Sequence, residues 1–152
     1  MKETEKIEIM HFSQEGYLED GKNVYETGKK MIELADKVAD EGYDAVFLMG
    51  VGGTWDELMQ LEYLMNKFGD RDLEVYLIHA AEWNAMGHKR MTEKSVVITA
   101  SESGTTPEVL EAVKKMKEKG IRVYAMTKPE GPIGQAVGAE NCVKMASDHG
   151  SG

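Results

Sequence analysis

The chain has a single cysteine, Cys142, so no internal disulfide can form and a reducing compartment suits it. Cations are also scarce: 18 Lys and Arg stand against 27 Asp and Glu, a net charge of −9. Nonspecific nucleic-acid binding relies on clustered basic residues, so this balance argues against it. No apolar run approaches the roughly 20 residues of a membrane span. The charged start Met1-Lys2-Glu3-Thr4-Glu5-Lys6 does not fit a secretory signal. The reading is a soluble, cytoplasmic protein with neither nucleic acid nor membrane as partner. An anionic ligand would need a local site rather than a general field.

Two nucleotide signatures are missing as well. A dinucleotide fingerprint G-x-G-x-x-G beginning at Gly50 requires glycine at 55, where the chain has Trp55. A phosphate-loop motif ending in the TGKK of 27–30 requires glycine at 23, where Asn23 stands, and Ser or Thr in place of Lys30.

What is present has the balance of a globular domain: 152 residues, 41% hydrophobic and 30% charged. Residues 1–21 read as a polar, irregular arm broken by Ile7, Ile9, Met10 and Phe12. Residues 22–146 read as the folded domain, and 147–152 as a truncated linker or tail. From Lys22, Val24, Met31, Leu34, Ala35 and Val38 recur at helical spacing until Gly42. Short apolar runs follow at 45–49, 75–78, 95–100, 121–126 and 141–145. Between them lie helical periods, Leu58, Leu61, Met65 and Phe68 in one and Val109, Val113 and Met116 in another. Alternating strands and helices with near-continuous apolar strands predict a three-layer, doubly wound, five-stranded parallel sheet of the flavodoxin-like kind. Ligands of such sheets bind beyond the carboxyl ends of the strands, where the winding reverses.

The loops after the first and third strands are the unusual ones. The first carries Gly50, Gly52 and Gly53, which let backbone amides approach a ligand, followed by Thr54. Thr54 with Glu57 also fits a capping box, so its hydroxyl has two candidate uses. The second loop reads Ser101-Glu102-Ser103-Gly104-Thr105-Thr106 before Pro107. Thr106 followed by proline is a helix start, and Glu108 and Glu111 early with Lys114, Lys115, Lys117 and Lys119 late match the helix dipole. One cap accounts for one hydroxyl, not four hydroxyls and a glycine. Amides at a helix N-terminus with flanking hydroxyls hold a phosphate without any lysine, which suits an acidic chain. The plainer alternative is a polar loop that only caps its helix.

The pattern Ser101, Ser103, Gly104, Thr106, Glu108, together with Gly52-Gly53-Thr54, resembles the sugar isomerase (SIS) domain family from about Ala45 to Met145. The resemblance implies a five-stranded parallel α/β sandwich that binds phosphosugars without a cofactor, as a homodimer or paired with a second SIS domain. It implies that Gly52, Gly53, Thr54, Ser101, Glu102, Ser103, Gly104, Thr105 and Thr106 surround the phosphosugar, with the hydroxyls of Thr54, Ser101, Ser103 and Thr106 on the phosphate. The stretch HAAEWNAMGHKRMTEKSVVITAS is most similar to the N-terminal half of tandem fructosamine-6-phosphate deglycases, and places Glu82 at the sugar. The deglycases' acid and base belong to their second half; the matching positions here are Asn66 and Ala85, which transfer no proton. The resemblance therefore implies part of a deglycase or aldose–ketose isomerase, or alternatively a non-catalytic sensing or dimerisation module. Glu102 departs from the phosphate logic, because a carboxylate repels an anion unless it faces away.

Other candidates are weaker. His79, Glu82 and His88 lack the spacing of a metal site, and no metal is expected. Trp83, Met86 and Met91 read as packing or a dimer contact, and Cys142 as buried and inert.

Overall fold

The computed structural model describes residues 14–70 and 72–145. Five parallel strands form one sheet in the order β2-β1-β3-β4-β5: β1 Val46–Gly50, β2 Val75–His79, β3 Val96–Ser101, β4 Arg122–Thr127 and β5 Cys142–Val143. The helices are α1 Gln14–Glu41, α2 Gly53–Phe68, α3 Ala80–Met86, α4 Pro107–Glu118 and α5 Pro132–Val137. This is the expected doubly wound α/β fold. Its order reverses between β1 and β3, which pair from Val46↔Val96 to Met49↔Thr99.

Strand side chains alternate between two faces. Phe47, Met49, Val97, Val123 and Ala125 point to one, where Trp83 of α3, Val109, Val113 and Met116 of α4 and Ile133 and Val137 of α5 close the main core. Val46, Leu48, Val75 and Ala100 point to the other and meet Leu58 and Met65 of α2. Trp83 and Met91 thus pack on the core, whereas Met86 is 74% exposed. Cys142 is fully buried, its thiol pushed up in pKa first by that burial, as the inert reading expected.

Two local expectations need correction. The first helix begins at Gln14, not Lys22, so residues 14–21 of the supposed arm are helical. Their apolar residues, Tyr17 and Leu18, lie seven before Val24 and Tyr25, which continues a stripe the polar surroundings concealed. The last strand is only Cys142–Val143, because a 3₁₀ turn over Ala139–Asn141 takes the residue before it. Residues 1–13 and the 147–152 tail lie outside the described residues.

The amino-terminal edge of the sheet is tied by side chains. Asp44 accepts hydrogen bonds from Thr92 (2.6 Å) and Ser95 (2.9 Å), joining the approaches to β1 and β3. Burial pushes the Asp44 carboxyl up, but these hydroxyls and the amides of residues 44 and 45 outweigh it and hold the pKa below its ordinary value. Glu74, before β2, is lowered by hydrogen bonds from Arg90 and then Tyr76. A carboxyl lowered in the folded state gives stability that is complete above its unfolded value and is lost as the pH falls through the folded one. Thermal unfolding should therefore be flat near neutrality and fall below about pH 4. Asp44→Asn should lower the melting temperature at pH 7 and flatten that acid limb; an unchanged limb would remove Asp44 from the account.

Candidate functional site

Because β1 and β3 are neighbours, the loops leaving their carboxyl ends emerge side by side. Just beneath them, the Thr99 hydroxyl donates to the carbonyl of Met49 at 2.8 Å and stitches the strands together. Each loop turns directly into a helix, α2 of 16 residues and α4 of 12.

In the first loop, Gly52 sits at φ 59°, ψ −131°, a backbone region that essentially only glycine occupies. Gly50 is required for space: a Cβ there would lie 2.8 Å from the amide nitrogen of Trp55. Gly52 is the N-cap of α2 and Gly53 its first residue, so the capping box expected at Thr54 and Glu57 does not form. Thr54 lies inside the first turn, too late to cap it. Its half-buried hydroxyl instead donates to the carbonyl of Val51 at 3.0 Å.

The second loop folds on its own hydroxyls. Ser101 is 2% exposed and its Oγ lies 3.0 Å from Oγ1 of Thr106. Ser103 Oγ accepts from the amide of Thr105 (3.2 Å) and from its hydroxyl (3.1 Å). The amide of Gly104, at φ 69°, donates to the carbonyl of Ser101 and closes the turn. Thr106 is the N-cap with Pro107 next, as expected, but its side chain caps no amide. Neither α2 nor α4 has a side-chain cap, so both present first-turn amides and the positive ends of their dipoles beside exposed Ser103 and Thr105.

The β4 loop braces this turn. Thr127 donates to the carbonyl of Ser101 at 2.6 Å, and the amide of Ile133 donates to the carbonyl of Gly104 at 3.1 Å. Glu102 is exposed, so its carboxylate lies in solvent and not against the buried hydroxyls. The structure thus unites Ser101 with Thr106 and Ser103 with Thr105, and sets Gly52, Gly53 and Thr54 at the neighbouring helix start.

Glu82 stands apart. It is exposed on α3 and makes no hydrogen bond or ion pair among the described residues. His79 caps α3, its Nδ1 accepting from Ala81, while His88 packs on Phe47 and Tyr76 with ring centroids 5.1 and 5.0 Å away. Among the described residues no group of three His, Cys, Asp or Glu side chains is placed to hold a metal. Asn84 went unnoticed in the sequence. It donates to the carbonyl of Glu108 at 2.9 Å, holding α3 against the first turn of α4, and its buried Oδ1 has no partner among the described residues. A lone amide among the small and apolar residues of α3 was the available signal.

Gly52→Ala tests the first loop. Nothing lies within 4 Å of an added Cβ, so any cost is backbone strain, on the order of 1–3 kcal/mol of unfolding free energy by denaturant titration. A neutral substitution would show that Gly52 can leave this conformation freely.

Comparison with known proteins gives a consistent result. No family model matches the chain. Over 93 residues it is 33% identical to the fructosamine deglycase FrlB of Bacillus subtilis, covering 60% of this chain and 28% of that protein. A solved Bacillus subtilis structure described as a phosphosugar isomerase superposes with TM-score 0.63 at 30% identity, over 68% of this chain and 31% of the other. An Escherichia coli CFT073 protein solved with a bound phosphosugar shares the fold, with TM-score 0.68 at 19% identity over 90% of this chain and 75% of the other. The chain spans less than a third of the length of the first two. With the parallel sheet and its two glycine- and serine-rich turns, these likenesses support a sugar isomerase (SIS) domain family for the chain.

Proposed function

We propose that this chain is a phosphosugar-binding SIS domain that grips the phosphate for a deglycase or aldose–ketose isomerase reaction and draws its acid and base from elsewhere. The observation that carries this reading is the pair of helix N-termini without side-chain caps, side by side at the winding reversal and flanked by hydroxyls. A phosphate there would receive amides from both first turns and hydroxyls from Ser101, Ser103, Thr106 and Thr54. The sugar would then extend toward α3 and Glu82. Isomerisation moves a proton between C1 and C2 through an enediol or enaminol, which requires a general base at the sugar. Exposed Asn66 on α2 and Ala85 on α3 cannot act as one, so the base comes from a second domain or subunit. The fructosamine deglycase relative supports the reaction class, and the phosphosugar complex of the Escherichia coli protein supports the ligand class.

The same two residues favour a second reading, a phosphosugar sensor or pairing module with no chemistry of its own. Turnover separates the two. Release of amino acid from a fructosamine 6-phosphate by this chain alone would sink the second reading.

The partner is a second copy of this chain. Helix α1 is about 42 Å long, twice the span of the strands it precedes. Tyr17, Leu18, Tyr25 and Ile32 on it, with Tyr63, Leu64 and Phe68 on α2, are each 50% or more exposed. Together they offer roughly 800 Å², about one partner's share of a stable interface. Gly21 and Gly28 leave open space along the helix. Sedimentation should give a dimer that Tyr25→Glu dissociates; a monomer at all concentrations overturns this pairing.

Phosphate binding is tested by thermal unfolding with fructose 6-phosphate, glucosamine 6-phosphate, fructose and inorganic phosphate. A phosphosugar at 100 times its Kd should stabilise the fold by about 2.7 kcal/mol, and free fructose should not. Ser103→Ala with Thr106→Val should abolish the shift; an unchanged affinity means the phosphate sits elsewhere.

A further inference from the structure

Lys128 is a residue that neither the motif nor the hydroxyl pattern singles out. It is the first residue after β4, next to Thr127, whose hydroxyl is bonded to the carbonyl of Ser101. Its backbone is held: its carbonyl accepts from the amide of Gly131, and a Cβ on Gly134 would come within 2.5 Å of that oxygen. Its side chain is exposed and makes no hydrogen bond or ion pair among the described residues. The Lys128 Cβ lies 3.6 Å from the point where Gly104 would carry a Cβ. Gly104 has no side chain, so no Cβ at that position stands against the start of the lysine stem.

Charge gives this placement a use. A sugar phosphate is close to a dianion at neutral pH. The turns after β1 and β3, residues 51–53 and 102–106, hold no cation and one carboxylate, Glu102. Amides, hydroxyls and two half-charges from the helices share the load, but none brings a full positive charge. The loop after β4, residues 128–131, holds one, Lys128. Lysine acts on phosphate as a mobile point charge, and its stem spans about 5 Å from Cβ to Nζ, enough to cross one residue of turn.

We propose that Lys128 closes over the Gly104 turn when a phosphosugar binds and supplies the cation that the hydroxyl cradle lacks. This rests on the phosphosugar reading. It adds an electrostatic part of the affinity that salt can remove, carried by a loop outside the serine motif.

The test is fructose 6-phosphate binding by calorimetry at low salt and at about 0.5 M salt, with the wild type measured first. Lys128→Ala should raise Kd about fivefold at low salt, the scale of one charge pair near a surface. That difference should shrink at high salt, where charges are screened beyond about 4 Å. Lys128→Arg should keep the affinity, and Lys119→Ala, on an exposed lysine at the far end of α4, should change nothing. Equal Kd values for the wild type and Lys128→Ala at low salt overturn the proposal and leave the phosphosugar reading intact. A wild type that binds no fructose 6-phosphate overturns both.

Discussion

The adjacency of β1 and β3 is the constraint on which the rest of the structure depends. Two strands far apart in sequence pair in parallel, with a hydroxyl-to-carbonyl bond from Thr99 to Met49 at their carboxyl ends. Parallel pairing forces each strand to leave at the same edge, and right-handed crossovers send α2 and α4 to opposite faces of the sheet. The two helix starts therefore meet at one edge while their bodies cover different cores. The register between the strands brings the glycine loop and the serine loop to one edge of the sheet.

The two faces are not closed equally. Helices α3, α4 and α5 seal one, with Phe47, Met49, Val113, Met116 and Ile133 fully buried. On the other face α1 crosses loosely, and a groove of about 240 Å³ remains among Met31, Leu34, Val38, Val96, Ile98 and Tyr124. The asymmetry divides the labour: the tight face fixes α4 and the serine turn, and the loose face leaves apolar surface uncovered.

Most of the fold was legible in the sequence because both of its periods are strong. Short apolar runs gave the strands, and the charge gradient from Glu108 to Lys119 marked α4 from end to end. The serine turn was legible too, since four hydroxyls exceed what one cap needs. Residues at the margins were harder. Thr54 carries the signature of a cap, yet Gly52 takes that position because only glycine adopts its backbone angles. Helix α1 starts early because a seven-residue stripe of Tyr17, Val24 and Met31 is sparse in a charged segment. Asn84 is held by a contact with the first turn of α4 that no local pattern announces.

The brace behind the serine turn joins one side-chain hydroxyl, that of Thr127, to closely packed main chain. A Cβ on Gly131 would press on the carbonyls of Gly104 and Lys128 at 3.2 Å, and one on Gly134 would strike Lys128 and Pro129 below 3 Å. The turns after β3 and β4 consequently fit as one rigid mould, which amino-acid exchange can break but hardly reshape. Exposed Glu102, Thr105, Lys128 and Glu130 stand on the rim, where exchange of a side chain leaves the mould the same shape.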